Sequence, residues 1–520
     1  MNAGRADPAT DAAARRWTLA SAVLGSGMAF MDGTVVNVAL PAIQQRLGAS
    51  GADAQWVIEA YALFLAALLL VGGALGDRFG RKRVFLVGAA VFTLASAGCA
   101  AAHGIGQLVA ARAVQGIGAA LLVPGSLALL GANFPESERG RAIGTWSAFS
   151  GITAAVGPVV GGFLVDRFSW HWAFLLNLPI GVLLLAACAA RVPESRGEAA
   201  RAPVDLVGAC TATIGLAGIV FALIEAPAHR IGVASVAAAA LAGLVALGAF
   251  FAWEARAAKP MMPLGMFRNR DFAGANLLTL LLYAALGGAL YFVPLDLIQV
   301  RGWSATRAGA ALLPFVAIMF ALSRFAGALV DRVGARLPLV LGPAVAAAGF
   351  ALFALTAADD DYWTSFFPAI AVLGLGMTLT IAPLTTTVMN ALGDAVAGTA
   401  SGVNNAVSRA AGLLAIAAFG AVLAQVFEAR LPDALNLSTL PRDAAQHVLA
   451  QQRNLGAIVA PPGAAAAVSA EVHRVVAEVF VAGFRMVMWI AAALALASAG
   501  CAAWLISGAK PAPTRKAERS

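Results

Sequence analysis

Charge is scarce in this chain. Asp, Glu, Lys and Arg make up 12% of its 520 residues while 60% are apolar, and a mean hydropathy of +0.82 leaves too little polar surface to face water on all sides. A soluble globular protein is excluded, and an all-α polytopic membrane protein is expected. Cysteine is scarcer still. Cys99, Cys188, Cys210 and Cys501 all fall inside apolar segments, where a free thiol behaves as a small hydrophobe, and there is neither a disulfide framework nor a CxxC metal pair. The four lysines, Lys82, Lys259, Lys510 and Lys516, are followed by Arg, Pro, Pro and Ala. A P-loop needs Lys followed by Ser or Thr, so no route to ATP hydrolysis exists, and any uphill work must draw on an ion gradient. No GxSxG elbow or HExxH pair points to an enzyme, and no cofactor is expected. His103, His171, His229, His447 and His473 fall in predicted outer loops, are read as solvated, and lack metal-ligand spacing, so no metal site is expected. The net charge of +8 is scattered over many loops and forms no stripe, which argues against a nucleic-acid partner.

What the chain has in abundance is apolar length. Spans of about 20 apolar residues recur roughly fourteen times, near 18-40, 56-75, 84-102, 107-131, 142-165, 172-190, 204-223, 231-252, 272-297, 305-329, 337-357, 363-388, 396-424 and 480-507. The lipid bilayer is therefore the expected surrounding. Residues 1-16 read as a cytoplasmic tail, with no cleavage site after the first apolar run, and 508-520 as a second. With the N-terminus inside, Lys and Arg crowd the inner loops, and the short outer loops hold only Arg46, Arg167, Arg230, Arg301 and Arg307. The positive-inside rule then puts both termini in the cytoplasm. Arg far exceeds Lys, a bias expected of a GC-rich bacterial genome, so the cell (inner) membrane is the expected location.

One signature occurs twice, GALGDRFGRKR from Gly73 to Arg83 and GALVDRVGAR from Gly327 to Arg336. An internal repeat in a membrane protein points to two related halves around a central path, the architecture of secondary transporters. The copies lie 254 residues apart, whereas a six-helix half needs about 190. Two extra helices must therefore sit between the halves. The expected organisation is a six-helix half at 17-203, two extra helices at 204-253, and a second six-helix half at 254-507. The stretch 428-479 is too polar to span and is expected outside. Its last part, AAAAVSAEVHRVVAEVF, has the periodicity of an amphipathic helix.

Several motifs carry physical meaning on their own. In the first loop, Gly73 and Gly80 allow close approach and a tight turn, while Asp77, Arg78 and Arg81 place charge at the interface. Gly334, Asp331 and Arg332 repeat this, with Ala335 where the first copy has Arg81. In GITAAVGPVVGG, Gly151, Gly157, Gly161 and Gly162 recur on related faces around Pro158, which removes a backbone hydrogen bond and bends the helix. Intramembrane charges are the functional candidates, since each costs about 2.5 to 3.5 kcal/mol near a helix centre. Asp32 lies about 21 Å along the first helix and Arg112 about 7 Å along the fourth at 1.5 Å per residue, which brings them to similar depth. Glu59 sits near the outer end of the second helix, either solvated or facing the same cavity as Asp32. Arg409, with Asn404 and Asn405 nearby, either lines the path or snorkels to the inner face. Asp296 and Arg324 read as interfacial.

From Trp17 to Trp504 the chain resembles the major facilitator superfamily, specifically its fourteen-helix drug:proton antiporter branch. MDGTVVNVALP (Met31 to Pro41) resembles the branch's first-helix motif, and the Gly73 and Gly327 loops resemble the superfamily's loop motif. LVAARAVQGIGAA (Leu108 to Ala120) resembles the fourth-helix motif, GITAAVGPVVGG the fifth-helix antiporter motif, and WHWAFLLNLPIG (Trp170 to Gly181) the start of helix six. His171 stands where the branch more often has Arg.

The resemblance implies a multidrug efflux protein that exchanges protons for a small hydrophobic or cationic compound. It implies that Asp77 and its Arg contacts form a latch holding one conformation; a topology signal with a structural turn is the plainer reading. It makes the helix-five glycines a mark of exporters, where packing alone is the plainer reading. It makes the first and fourth helices neighbours, with Asp32 a proton or cation-substrate site coupled to Arg112, or else a static buried ion pair. Export of one endogenous metabolite is the rival function. A transport-dead membrane sensor or receptor is the alternative of another class, against which Asp32 and the glycine motif argue. The sequence names no substrate and no periplasmic adaptor.

Overall fold

The computed structural model describes residues 8–196, 205–393 and 396–507. The predicted tail at 508-520 lies outside the described residues. Among the described residues there is no strand, and 14 helices are long and apolar enough to cross a membrane. They are α1 (Ala12–Leu47), α2 (Gly51–Phe79), α3 (Arg81–Ala100), α4 (Ile105–Asn133), α5 (Ser137–Arg167), α6 (Trp172–Arg191) and α7 (Leu206–Ala228). The rest are α8 (Val233–Glu254), α9 (Arg270–Val300), α10 (Ala305–Leu322), α11 (Arg336–Ala354), α12 (Phe366–Asn390), α13 (Gly398–Asn436) and α14 (Ala466–Leu505). Each overlaps a segment expected from hydropathy.

Several run past the bilayer. α14 has 40 residues, about 60 Å at 1.5 Å each, twice the ~30 Å hydrocarbon core. Its first turns are the expected amphipathic stretch, which continues into the span without a break. α13 likewise carries on to Asn436, so only residues 437-465 separate the two. Within them lie a short helix, Arg442–Ala450, and a 3-10 turn, Gln452–Ala457.

Local chemistry sets the helix ends. Ser50 and Asp53 form a capping box at the start of α2, each accepting the other's backbone N–H, which satisfies two donors the helix cannot. Gly80 is the single residue between α2 and α3 and has φ +111°, a conformation that only glycine adopts without strain. The face of the molecule with this turn is called the loop face below.

The chain divides into two compact units, Met1–Pro263 with Leu290–Leu312 and Leu413–Phe484, and Leu264–Ala289 with Leu313–Gly412 and Arg485–Ser520. In the first unit α2, α3 and α4 pack at glycine contacts. A Cβ on Gly72 would lie 2.0 Å from the Ala120 carbonyl oxygen and one on Gly118 2.6 Å from the Phe92 nitrogen, so the backbones touch. Phe85, Phe92, Met28 and Leu122 fill the space between. Away from the loop face α7 is tied to α2. Trp56 Nε1 donates to Glu225 Oε1 at 2.9 Å, and Arg230 bridges Glu225 and Asp53. On that side Gln55 also donates to the Ile416 carbonyl of α13 and Gln299 of α9 to Gln44 of α1. In the second unit α11 and α12 meet at Gly342, Gly349 and Gly376, and Ser498 of α14 donates to the Leu278 carbonyl of α9.

Candidate functional site

Asp32 of α1 and Arg112 of α4 meet inside the first unit, with both side chains fully buried. Arg112 Nη1 donates to Asp32 Oδ2 at 2.5 Å and to Gln115 Oε1 at 2.6 Å, and its Nε donates to the Val57 carbonyl of α2 at 2.9 Å. The other carboxylate oxygen, Asp32 Oδ1, accepts from Gln115 Nε2 at 2.8 Å and from Asn177 Nδ2 of α6 at 2.9 Å. Gln115 Nε2 also reaches Ser96 Oγ of α3 at 2.9 Å. Tyr61 places its ring under the guanidinium, 4.3 Å from Cζ. Five helices, α1, α2, α3, α4 and α6, thus meet in one buried network around this carboxylate. A buried ion pair repays its desolvation only when the remaining polar atoms are also satisfied. Here a single atom, Arg112 Nη2, is left without a partner.

Gln115, Asn177 and Ser96 were not singled out by the sequence. Gln115 follows Arg112 by three residues, hence on the same helix face, and Asn177 stands inside the helix-six motif. Both signals were there, though neutral polar residues are common enough in spans to carry little weight.

Glu59 does not join this network. It is fully buried on α2, neither of its carboxyl oxygens has a hydrogen-bond partner, and it lies within electrostatic reach of the Tyr291 phenol of α9. Asp296, expected at the interface, is also fully buried and pairs with Arg301 at 2.9 Å. Arg409 belongs to the second unit, half-buried and within electrostatic reach of Tyr283. Asn404 there donates to Asn276 and Thr279 of α9, and Asn405 is exposed. His171 stacks on Trp170 at 3.9 Å. Partial burial, with His103 and Arg46 nearby, holds its imidazole below the usual histidine range.

In the first loop Arg81 Nε donates to Asp77 Oδ1 at 2.8 Å and its Nη1 reaches the Ala128 carbonyl of α4 at 3.3 Å. Arg78 is exposed and lies over Phe79. Glu194, just past α6, accepts from the backbone N–H of Lys82 and Arg83 at 3.0 and 3.2 Å. Gly80 supplies no side-chain cap to α3, so a carboxylate from elsewhere in the sequence fills that role at the positive helix end. In the second loop Gly334 has φ +78° and Arg336 donates to the Ala503 carbonyl of α14. The side chains of Asp331, Arg332 and Arg324 lie outside the described residues.

The α5 motif works at two contacts. Towards α1, a Cβ on Gly157 would lie 2.3 Å from Thr34 Oγ1 and one on Gly161 2.6 Å from Val35 Cγ1. Towards the start of α10, a Cβ on Gly162 would lie 2.4 Å from the Ala305 carbonyl, and one on Gly309 2.2 Å from the oxygen of Pro158. Gly151 is half-buried on α5. Asp166 at the end of α5 then caps α10, accepting from the backbone N–H of Ala305 and Thr306 at 3.1 and 2.8 Å. At Gly162 and Gly309 nothing larger than glycine fits without moving a backbone, whereas at Gly157 and Gly161 the first atoms met are the Thr34 and Val35 side chains.

Comparison with known proteins agrees with this geometry. The family model described as Major Facilitator Superfamily matches residues 22–416. The multidrug resistance protein Stp of Mycobacterium tuberculosis is 36% identical over 437 residues, 84% of this chain and 80% of its own length. The tetracenomycin C resistance and export protein of Streptomyces glaucescens is 33% identical over 515 residues, 98% and 94% of the two chains. Among solved structures, a bacterial homologue of the human lysosomal transporter Spinster in an inward-facing, unoccupied conformation aligns with a TM-score of 0.64 at 16% identity, over 94% of this chain and 97% of its own. That likeness concerns the fold. By motif order, helix packing and relatives, the chain belongs to the major facilitator superfamily.

Proposed function

We propose that this protein is a secondary transporter that exports small hydrophobic or cationic compounds across the cell membrane in exchange for protons. Drug efflux is supported by relatives named for multidrug and antibiotic resistance. The observation that carries proton coupling is the enclosed Asp32 site, where one carboxylate takes bonds from Arg112, Gln115 and Asn177 on two helices. A proton taken up there displaces at least one of these bonds, which links proton binding to movement of the helices that supply them. Glu59 is the second acidic candidate. Arg409 is the corresponding charge in 254-507, which we read as a second six-helix half beside the one at 17-203 in the sequence, with 204-253 as the extra pair. The loop face is read as cytoplasmic, with the Asp77–Arg81 pair as a latch and the α5 glycines as the crossing that an exporter needs.

Efflux measured against pH in inverted vesicles tests the proposal. Asp32→Asn mimics the protonated form permanently, so proton-driven efflux is expected to be lost while the protein still inserts. Efflux that stays fully proton-driven in this variant removes Asp32 as the coupling site and moves the role to Glu59. Export of one compound is the second reading, favoured by the near full-length relative named for tetracenomycin C alone. A susceptibility screen in a pump-deficient host separates the two: protection against one compound supports the narrow reading and protection against several the broad one.

A further inference from the structure

The extra pair α7 and α8 ends at the loop face in two carboxyl groups that face each other. Asp205 caps α7, its Oδ1 accepting from the Gly208 N–H and from Trp253 Nε1, each at 2.8 Å. Glu254 closes α8 and is only 3% exposed, with Oε2 accepting from the Met262 N–H at 2.9 Å. The remaining oxygens, Asp205 Oδ2 and Glu254 Oε1, are buried and have no hydrogen-bond donor. Both lie 2.7 Å from the point a Gly208 Cβ would occupy, so they are no more than twice that distance apart. Glycine at this position leaves the space between them open.

We infer that Asp205 and Glu254 hold one proton between Oδ2 and Oε1, forming a proton-binding site on the extra helix pair that is separate from Asp32. Two ionised carboxylates whose facing oxygens are this close, buried and without a donor repel each other, whereas one proton turns the repulsion into a charge-assisted hydrogen bond. Ca2+ takes six to eight oxygen ligands and Mg2+ six, waters among them. Here two of the four carboxyl oxygens are already committed to N–H donors, and a proton needs only the two that are left. Among the described residues, Arg256 and Lys259 line the open cleft beside Asp205 with Leu206, Val207 and Trp253. Arg256 donates to the Ala252 carbonyl, and among the described residues neither cation pairs with the two carboxyls.

The protonated pair clasps the start of α7 to the end of α8. Raising the pH removes the proton and sets two negative charges against each other, so the stability it contributes is present in acid and lost on the alkaline side of its titration. The test is thermal melting of the full-length protein from pH 5 to 9, with infrared spectra of the carboxyl groups. Wild type is expected to melt a few degrees lower at the alkaline end and to lose a protonated-carboxyl band over the same interval. Glu254→Gln keeps a donor towards Asp205 but has no proton to lose, and Asp205→Asn keeps the helix cap. Both are expected to melt like wild type in acid, with the slope flattened and the band gone. A slope and band retained in both variants overturn the inference. Recovery of alkaline wild-type melting on adding magnesium, absent in Glu254→Gln, also overturns it by assigning the site to a metal.

Discussion

At the scale of single residues the decisive feature is how completely Asp32 is satisfied. Its two oxygens accept from Arg112, Gln115 and Asn177, so no water is needed to stabilise the charge. Asn177 supplies the only one of these bonds that comes from α6. Asn177→Ala is expected to leave the fold intact, because interhelical bonds in membranes average about 0.6 kcal/mol, but to move the pH profile of efflux, because it removes a donor that favours the charged carboxylate. An unchanged profile in that variant would mean that Asn177 only packs. Asp32 and Arg112 were legible in the sequence because an ionisable residue inside an apolar run has few structural excuses. Gln115, Asn177 and Ser96 were not, since a neutral polar side chain in a span can bond its own helix backbone, as Ser96 also does with the Phe92 carbonyl. Glu194 escaped for another reason: its role as cap of α3 joins positions more than a hundred residues apart, and no local pattern announces it.

Elements carry a different kind of information. Hydropathy located all fourteen spans but not their ends, because a helix that leaves the bilayer as an Ala-rich polar stretch keeps its backbone bonds while its hydropathy collapses; α13 and α14 both do this. The glycines of α5 were legible as a packing face, and what the sequence lacked was the identity of the surfaces they meet. Gly157 sits against Thr34 and Met31 of α1, two and one residues from Asp32, so this crossing and the buried carboxylate share one stretch of helix. Gly157→Leu forces a branched side chain into that contact, an overpacking that costs roughly 1 to 3 kcal/mol in soluble cores. The expected result is protein that still reaches the membrane but shows lost exchange or a proton leak, measured as substrate efflux and pH change in the same vesicles. Full exchange with a leucine there would reduce the motif to ordinary small-residue packing.

For the whole molecule the open question is which way it faces. Inner loops rich in Arg and Lys, with few in the short loops opposite, lead us to propose, by the positive-inside rule, that the Gly80 turn is cytoplasmic. Helix count and helix ends agree on which face each connection occupies. The turn at Gly80, the segment that carries Glu194 and the carboxyl pair at Asp205 share one face, while the short helix Arg442–Ala450 and the capping box at Ser50 share the other. The arrangement makes a paired prediction in a background with Cys99, Cys188, Cys210 and Cys501 replaced. A cysteine at the exposed Arg196 is expected to react with an impermeant maleimide only after the membrane is opened, and a cysteine at the exposed Ala450 in intact cells. Each position controls for the other, since a leaky membrane labels both and a misfolded protein fails to distinguish them. Reaction at Ala450 from the cytoplasmic side alone would invert the molecule. The proposed direction of proton movement, and with it the reading of Asp77 and Arg81 as a cytoplasmic latch, would have to be reversed.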